Sequence, residues 1–256
     1  EVTKGTKKQA ESYIEKQPPF DEKGEQVICI VRHGEIKAAQ GKRSDLDEIA
    51  ALLDAGLTPE EIFRQEFRFR RYERMVTAEY MERKRRGTPV LREIKAHYFV
   101  GNSRTGKSHK YVELCEEYGE DKIYHVTDYL NGGFDLYRGQ PILFLDEFKG
   151  NIPYGVLLSI LDKYKSQIHA RYTNIFALWD EVYIASIFPP EALYALMVPP
   201  SLQKSDPIEQ FFRRLTDITY CFRDGDSYHR YTQSMTEYVG YNELQAEALE
   251  RTPLSE

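Results

Sequence analysis

The sequence predicts an α/β fold in which a small all-α unit precedes a domain built on a mainly parallel sheet. Two patterns support this prediction. Helix caps and apolar positions at helical spacing recur between residues 44 and 86, and from residue 95 onward short apolar runs typical of strands alternate with helical segments. Strands that alternate with helices pair mainly in parallel, because each crossover returns the chain to the same edge of the sheet.

The composition is that of a globular protein. Of the 256 residues, 41% are apolar and 30% are charged, which excludes wholesale disorder. No apolar run approaches the ~20 residues that cross a bilayer, so we expect no membrane association. Cys29, Cys115 and Cys221 lie far apart and form no C-x-x-C motif, which predicts a reducing compartment without a disulfide framework or zinc site.

Charge is unevenly distributed along the chain. The net charge is −6, yet residues 64–95, the basic block, contain eleven Lys and Arg against five Glu, a local excess of +6. Such asymmetry favours an anionic partner near the basic block. The alternative is a solvated helix face with i,i+4 ion pairs.

The first elements are predicted to be a helix and a strand. Residues 1–17 are expected to form a short helix that Pro18 and Pro19 end, because proline cannot continue a helix. The β-branched and apolar run at 26–31 predicts a strand. Since the first residue is Glu1 rather than Met, we expect a fragment or a processed product.

Helices are predicted between residues 44 and 86. Ser44 with Asp47 three residues later is a capping-box-like start, and Gly56 ends that helix. Thr58, followed by proline and then Glu61, begins a second helix that is predicted to run through the basic block towards residue 87.

Beyond residue 95, strands and helices alternate. Strands are predicted at 97–100, 123–126, 141–145 and 182–186, and helices at 108–118, 156–164 and 209–216. The polar segment after about residue 236 is expected to be a flexible tail.

The strongest functional signal follows the first of these strands. Residues 101–108 fit the phosphate-loop pattern G-x-x-x-x-G-K-[ST] fully. In such a loop, backbone N–H groups and the next helix N-terminus bind phosphate, the lysine reaches the β- and γ-phosphates, and the hydroxyl ligates Mg²⁺. The pattern predicts ATP and Mg²⁺ as ligands, bound by Gly101, Asn102, Ser103, Arg104, Thr105, Gly106, Lys107 and Ser108.

A second signal lies some 40 residues later, where an apolar strand ends in two acids. Asp146 at the strand end is expected to hold Mg²⁺ together with Ser108. Glu147 is expected to polarise the attacking water as a general base. Ligands of open parallel sheets bind at this edge. The two motifs together predict an NTPase.

The order of several further segments is informative. They include GTKKQAESYIEK at 5–16, GKRSDLDEI at 41–49, FDLYRGQPILFLDEF at 134–148 and IASIFPPEALY at 184–194. With the phosphate loop, they resemble the replication initiator (Rep) proteins of circular single-stranded DNA viruses and related rolling-circle plasmids. That family pairs an HUH nicking endonuclease with an AAA+ helicase of superfamily 3. The resemblance implies an ATP-dependent replicative helicase that translocates on single-stranded DNA as a homo-oligomeric ring, expected to be hexameric.

The resemblance also implies roles for residues after the acids. The polar sensor of the family's I-T-S-N motif corresponds to Ser186, although the motif here reads I-A-S-I. The arginine finger corresponds to Arg213 or Arg214, with an ordinary ion pair as the alternative for either. A β-hairpin that grips DNA in the ring's pore corresponds to Lys165, His169, Arg171 and Tyr172, with a core or surface role as the alternative.

The N-terminal segment resembles the last motif of the nicking domain, Y-x-x-K. Tyr13 corresponds to the nucleophile that becomes covalently attached to DNA, and Lys16, three residues on, is expected to share its helix face. The sequence contains no H-x-H motif, which supplies the metal ligands in the family and precedes the tyrosine. The chain is therefore expected to lack most of the nuclease domain, and origin nicking to belong to a full-length parent.

These inferences predict a domain organisation. Residues 1–31 are a remnant of the endonuclease domain with its linker, 40–90 a helical oligomerisation domain, 91–235 the ATPase domain and 236–256 the tail. Localisation is expected to be cytoplasmic for a plasmid protein or nuclear for a viral one. Two alternatives to a helicase remain: a small-molecule P-loop enzyme such as a nucleotide kinase, and a nucleotide-gated DNA-binding or assembly ATPase with weak turnover.

Overall fold

A computed structural model describes residues 7–18, 24, 27–31, 44–129, 133–170 and 174–252. The chain divides into two compact units, Glu1–Val76 and Thr77–Glu256. No helix in the described ranges combines the length and the apolar character needed to cross a bilayer.

The first unit contains short helices. Helix α1 spans Lys7–Ile14, α2 spans Ser44–Asp54 and α3 spans Pro59–Gln65. Helix α3 has the expected capping box, in which the Thr58 hydroxyl accepts from the N–H of Glu61 at 3.3 Å and the Glu61 carboxylate accepts from the N–H of Thr58 at 2.7 Å. The strand predicted at 26–31 is wrong for residues 27–31, which lie outside any strand and leave Ile28 97% exposed.

The continuous helix predicted through the basic block is also wrong. A 3₁₀ helix, Phe67–Tyr72, separates α3 from helix α4, Glu73–Gly87. The break begins at Glu66, whose φ of −133° and ψ of 87° are not helical, and the 3₁₀ segment buries Phe69 completely. Tertiary burial of one aromatic ring thus overrides the local helical preference.

Ion pairs account for much of the basic block. Arg68 and Arg71 of the 3₁₀ helix pair with Glu48 and Asp45 of α2. Within α4, three further arginines pair with Glu79 or Glu82 at i,i+3 or i,i+4: Arg83, Arg85 and Arg86. The structure therefore favours the solvated, ion-paired helix face over a free basic surface.

The second unit is built on a mainly parallel sheet, as predicted. Among the described residues, six strands pair in the order β2-β3-β6-β1-β7-β8, all parallel except β8, which is antiparallel to β7. Their bounds are β1 Lys95–Val100, β2 Ile123–Val126, β3 Ile142–Leu145, β6 Glu181–Ser186, β7 Asp217–Asp224 and β8 Ser227–Ser234. A separate antiparallel pair consists of β4, Gln167–His169, and β5, Asn174–Phe176.

Both faces of the sheet are covered. On β3, Leu143 and Leu145 belong to one hydrophobic cluster, whereas Ile142 and Phe144 belong to a second. This explains why the strand reads as a continuous apolar run rather than an alternating one. The remaining helices of this unit are α5 His109–Tyr118, α6 Tyr154–Ile160, α7 Pro190–Met197, α8 Glu209–Phe212 and α9 Tyr241–Arg251, with a 3₁₀ turn at Glu120–Lys122.

The C-terminal segment differs from the expected flexible tail. Residues 241–251 form helix α9, and its Leu244 and Ala248 are completely buried. These apolar residues, four apart, form a narrow stripe that packs against the sheet, where β7 and β8 form a long hairpin. The sequence signal is weak because six of the nine other helix positions carry Asn, Gln, Glu or Arg.

Candidate active site

The phosphate loop connects the end of β1 to the start of α5. A Cβ at Gly101 would lie 2.0 Å from the Cys221 carbonyl oxygen on neighbouring strand β7, so only glycine fits this position. Gly106 has a φ of +83°, which also favours glycine. The two glycines of the motif are therefore required by close strand packing and by loop conformation, respectively.

The lysine of the loop is directed inward. Lys107 is 5% exposed, and its ammonium donates to the Asn102 carbonyl oxygen at 2.7 Å, across the loop. Thr105 donates to the same carbonyl at 2.8 Å. Burial lowers the pKa of Lys107, while the nearby Glu147 carboxylate acts in the opposite direction. A phosphate would replace the carbonyl as the partner of this ammonium.

Asp146 joins the acidic strand to the phosphate loop. Its carboxylate accepts a hydrogen bond from the Ser108 hydroxyl at 2.7 Å and from the backbone N–H of Glu147 at 2.9 Å. His125 Nε2 lies 3.3 Å from the other carboxylate oxygen. Burial opposes ionisation of Asp146, but the hydrogen bonds from His125, Ser108 and the backbone outweigh it and hold the pKa of Asp146 below its ordinary value.

This donor set fits Mg²⁺. The Ser108 hydroxyl and the ionised Asp146 carboxylate supply hard oxygen atoms at one point, and Mg²⁺ is commonly held by one or two such protein ligands together with substrate phosphates. No cluster of three or more His, Cys, Asp or Glu side chains suited to a metal occurs in the described part of the chain.

Glu147 lies beside this contact and is more open. Its side chain is 56% exposed, with the Lys149 ammonium at 3.4 Å, and it lines the same cavity of about 830 Å³ as the phosphate loop. Its φ of +48° is uncommon for a residue other than glycine, and such conformations concentrate at functional sites. The geometry leaves this carboxylate accessible to water.

Two residues around Asp146 were missed by sequence reasoning. Tyr129 donates its hydroxyl proton to the Asp146 backbone carbonyl at 2.6 Å. The His125 ring stacks on Tyr111 of α5 with the centroids 4.0 Å apart. His125 lies on β2, and no local motif surrounds it; only the parallel pairing of β2 with β3 brings it to the acid.

Ser186 does not have a free hydroxyl. It is completely buried, donates to the Phe148 carbonyl oxygen at 2.6 Å and accepts from the Phe188 N–H at 3.1 Å. Both contacts hold the backbone around the strand end. The contact of Ser186 with the γ-phosphate stays a prediction, and its hydroxyl already has these two partners.

The structure distinguishes the two candidate finger arginines. Arg214 is paired with Asp162 at 2.8 Å and also donates to the Gln210 carbonyl oxygen at 2.6 Å. Arg213 is exposed and forms no ion pair with a carboxylate in the described ranges. Both arginines precede β7. Thr216, which follows them, donates its N–H to the Ala96 carbonyl oxygen at the start of β1, whereas the phosphate loop follows the end of β1. The two arginines therefore lie at the sheet edge opposite the phosphate loop.

The hairpin predicted between the acids and the sensor exists as β4 and β5. His169 is exposed at the end of β4, whereas Arg171 and Tyr172 lie outside the described residues. Lys165 precedes the hairpin, and its ammonium donates to the carbonyl oxygens of Arg85 and Thr88 at 2.6 and 2.7 Å. It caps the end of α4, where carbonyl groups lack helical partners, and its contact with DNA stays a prediction.

The expected nicking residues are exposed. Tyr13 is on α1 and 57% exposed, and the Lys16 ammonium lies 4.8 Å from the centre of its ring. A shared helix face was expected for Tyr13 and Lys16, but Lys16 lies beyond the end of α1, in a turn with a φ of +50°.

The phosphate loop and the acidic strand end thus meet at one edge of a mainly parallel sheet. The chain is 25% identical over 220 residues to the replication-associated protein of Porcine circovirus 1, covering 82% of this chain and 66% of that protein. It is 26% identical over 175 residues to the replication-associated protein of Human associated cyclovirus 1, covering 67% of this chain and 58% of that protein. The chain is therefore similar in sequence to viral Rep proteins, and it spans less than two thirds of the length of these relatives.

Other comparisons add little. No family model matches the chain. Two solved structures of Hsp104 from S. cerevisiae are similar to the chain. The Hsp104:casein complex in its extended conformation has a TM-score of 0.30 at 16% identity and covers 58% of this chain and 32% of its own. The Hsp104-ADP complex has a TM-score of 0.34 at 15% identity and covers 78% of this chain and 36% of its own.

Proposed function

We propose that this chain is the helicase part of a replication initiator, an AAA+ ATPase of superfamily 3 that translocates on single-stranded DNA as a hexameric ring. The observation that carries the proposal is the contact between Ser108 and Asp146 at 2.7 Å, with Glu147 beside it in the same cavity. This contact joins the phosphate-binding loop to the acidic strand. The Rep homologues add DNA replication as the setting.

The side chains of the site divide the chemistry of ATP hydrolysis among them. Lys107 neutralises charge on the β- and γ-phosphates, and Ser108 with Asp146 would hold Mg²⁺. Bound Mg²⁺ supplies further neutralisation of the charge on the phosphates. Glu147, exposed to the cavity, accepts a proton from the attacking water.

Arg213 completes the site from a neighbouring subunit. It lies at the sheet edge opposite its own phosphate loop, so it reaches a bound triphosphate only across a subunit interface. Arg214, which is paired with Asp162, instead holds this segment in place. A finger supplied in trans requires an assembly, which is why a ring is part of the proposal.

DNA contact is proposed at the hairpin of β4 and β5. The two strands pair antiparallel, and His169 at the end of β4 is exposed. Arg171 and Tyr172 in the connection offer a cation for the DNA backbone and a ring for base stacking. Such contacts are largely independent of sequence and weaken with salt.

The test is ATP turnover with and without single-stranded DNA, together with strand separation on a forked duplex. Lys107→Ala is expected to abolish both activities, because the charge that binds the β- and γ-phosphates is lost. Lys122→Ala, which removes a lysine of the 3₁₀ turn after α5, serves as the control. ATP turnover by Lys107→Ala at the parent rate would refute the assignment of the site.

A second candidate is a nucleotide-gated DNA-binding or assembly ATPase with weak turnover. The observation favouring it is that the Ser186 hydroxyl is occupied by Phe148 and Phe188, and that Ile187 stands where the family has Asn. The number of turnovers per subunit, counted with excess ATP after mixing with DNA, separates the two: a helicase hydrolyses ATP repeatedly, whereas a gate hydrolyses it once and stalls.

Nicking is proposed only for a full-length parent. A tyrosine hydroxyl has a pKa near ~10 and needs a metal to orient and polarise the scissile phosphate. The present chain contains no H-x-H motif to bind that metal. In the parent, Tyr13→Phe should abolish covalent capture of labelled origin DNA on a denaturing gel and leave ATPase activity intact. A covalent DNA adduct formed by the present chain would contradict the assignment of nicking to the parent alone.

A further inference from the structure

One wall of the phosphate-loop cavity comes from a part of the chain that no motif identified. Strand β8 places Tyr228 and Arg230 along the cavity, opposite Glu113 of α5. Both β8 residues are far from the loop in sequence. Their placement depends on β7 pairing with β1 and on β8 folding back along β7.

Arg230 fixes this wall to the phosphate loop. Its guanidinium bonds both carboxylate oxygens of Glu113 at 2.6 and 2.8 Å and donates to the Gly106 carbonyl oxygen at 3.0 Å. One nitrogen, Nη1, makes both contacts with Glu113, and the other, Nη2, makes the contact with Gly106, so the planar guanidinium is fixed by two partners. Strand β8, helix α5 and the loop are thereby held in one arrangement, with Arg230 and Glu113 as positioning residues.

Tyr228 lies two residues before Arg230, on the same face of β8. A Cβ placed at Gly106 would be 3.4 Å from its ring, so the ring borders the loop itself. The Arg223 guanidinium, directly across the β7–β8 ladder, lies 5.4 Å from the ring centre. Nevertheless 61% of Tyr228 remains exposed, so core packing does not account for this ring.

We propose that Tyr228 is the stacking platform for the base of the bound nucleoside triphosphate. The inference rests on the proposed function, in which the loop binds the phosphates of ATP. The base then extends along the remaining wall of the cavity, formed by His109, Glu113, Tyr228 and Arg230. At about 830 Å³ the cavity has the size of known small-molecule sites. An aromatic ring stacks on any base, because every base has a π-face.

The experiment compares two ligands that share phosphates but not a base. Affinities of the full chain for ATP and for inorganic tripolyphosphate are measured by calorimetry with Mg²⁺. In Tyr228→Ala the affinity for ATP should fall about 10-fold, within the range measured for base stacking on aromatic residues. Binding of tripolyphosphate should not change, and Tyr228→Phe should bind ATP like the parent, because the ring is retained.

Two controls make the outcome decisive. Tyr118→Ala removes another exposed tyrosine, at the far end of α5, and should leave both affinities unchanged. Thermal unfolding of each variant checks that the hairpin is intact. An equal loss for ATP and tripolyphosphate in Tyr228→Ala, or no loss for either, would overturn the platform.

His109 is the other aromatic ring of the wall. If His109→Ala, and not Tyr228→Ala, lowers ATP affinity selectively, the platform is not Tyr228. If the parent chain binds tripolyphosphate but not ATP, the platform fails while the phosphate loop stands. Failure of the parent to bind either ligand would refute the proposed function, and the platform with it.

Discussion

The half-buried His97 should make the stability of the second unit depend on pH between neutrality and pH 9. His97 is on β1, and strand pairing places Asp217 of β7 and Tyr183 of β6 directly beside it. Its Nδ1 lies 2.8 Å from the Asp217 carboxylate and its Nε2 lies 3.3 Å from that of Glu181. The imidazolium ring therefore bridges the acids of the two flanking strands and stacks on Tyr183.

The direction of the effect follows from the pKa of His97. Burial lowers it, but the interactions with Asp217 and Glu181 prevail and raise the pKa from 6.5 to about 9. Because the folded protein holds the proton more tightly than the unfolded chain, this stabilisation is fully present below pH 6.5 and is lost as the pH rises through 9. A difference of about 2.5 units at 1.36 kcal/mol each corresponds to about 3 kcal/mol.

The assay is denaturant unfolding between pH 6 and 9.5. The parent should lose about 3 kcal/mol of unfolding free energy across this range. His97→Gln should be less stable than the parent at pH 6, should depend little on pH, and should approach the parent at pH 9.5. His169→Gln removes an exposed histidine and should follow the parent profile. A parent profile that is flat, or that rises, over this range would refute the bridging role of His97.

Three further predictions concern the site and the C-terminal helix. Glu147→Gln should retain ATP binding and lose on the order of 10²–10⁴ in turnover, because an amide cannot accept the proton. Arg213→Ala should lower DNA-stimulated turnover by a factor on the order of 10³ without loss of stability. Arg214→Ala should instead lower the unfolding free energy by about 2 kcal/mol, because Asp162 loses its partner. Leu244→Ala should cost about 2–4 kcal/mol, because its side chain is completely buried in the packing of α9.

Each of these predictions has a contradicting outcome. If Glu147→Gln hydrolyses ATP at the parent rate, Glu147 is not the general base. Mixing Arg213→Ala subunits with Lys107→Ala subunits should restore part of the activity, since each mixed interface can combine one intact loop with one intact finger; no restoration would argue against a finger in trans. An unfolding midpoint for Leu244→Ala equal to that of the exposed control Leu249→Ala would show that α9 does not stabilise the fold.

Local patterns identified most of the elements. The strand at Ile123–Val126 matches its predicted bounds, and the capping box at Thr58 forms as expected. The wrong predictions concern segments whose structure depends on burial or on the strands available for pairing. The apolar run at 27–31 has the composition of a strand but no pairing in the described ranges, and the polar C-terminal segment becomes a helix through only two completely buried residues.

By itself, the sequence determined the phosphate loop, the acidic strand and the parallel character of the sheet. These depend on residues adjacent in the chain: glycines that permit the loop, a lysine at its end, and an apolar run followed by acids. Only the tertiary structure showed that the Ser186 hydroxyl is occupied, that Arg214 is paired while Arg213 is exposed, and that Tyr228 borders the phosphate-loop cavity. The partners of these side chains come from other strands and helices, so their roles depend on strand order, which spacing along the chain does not encode.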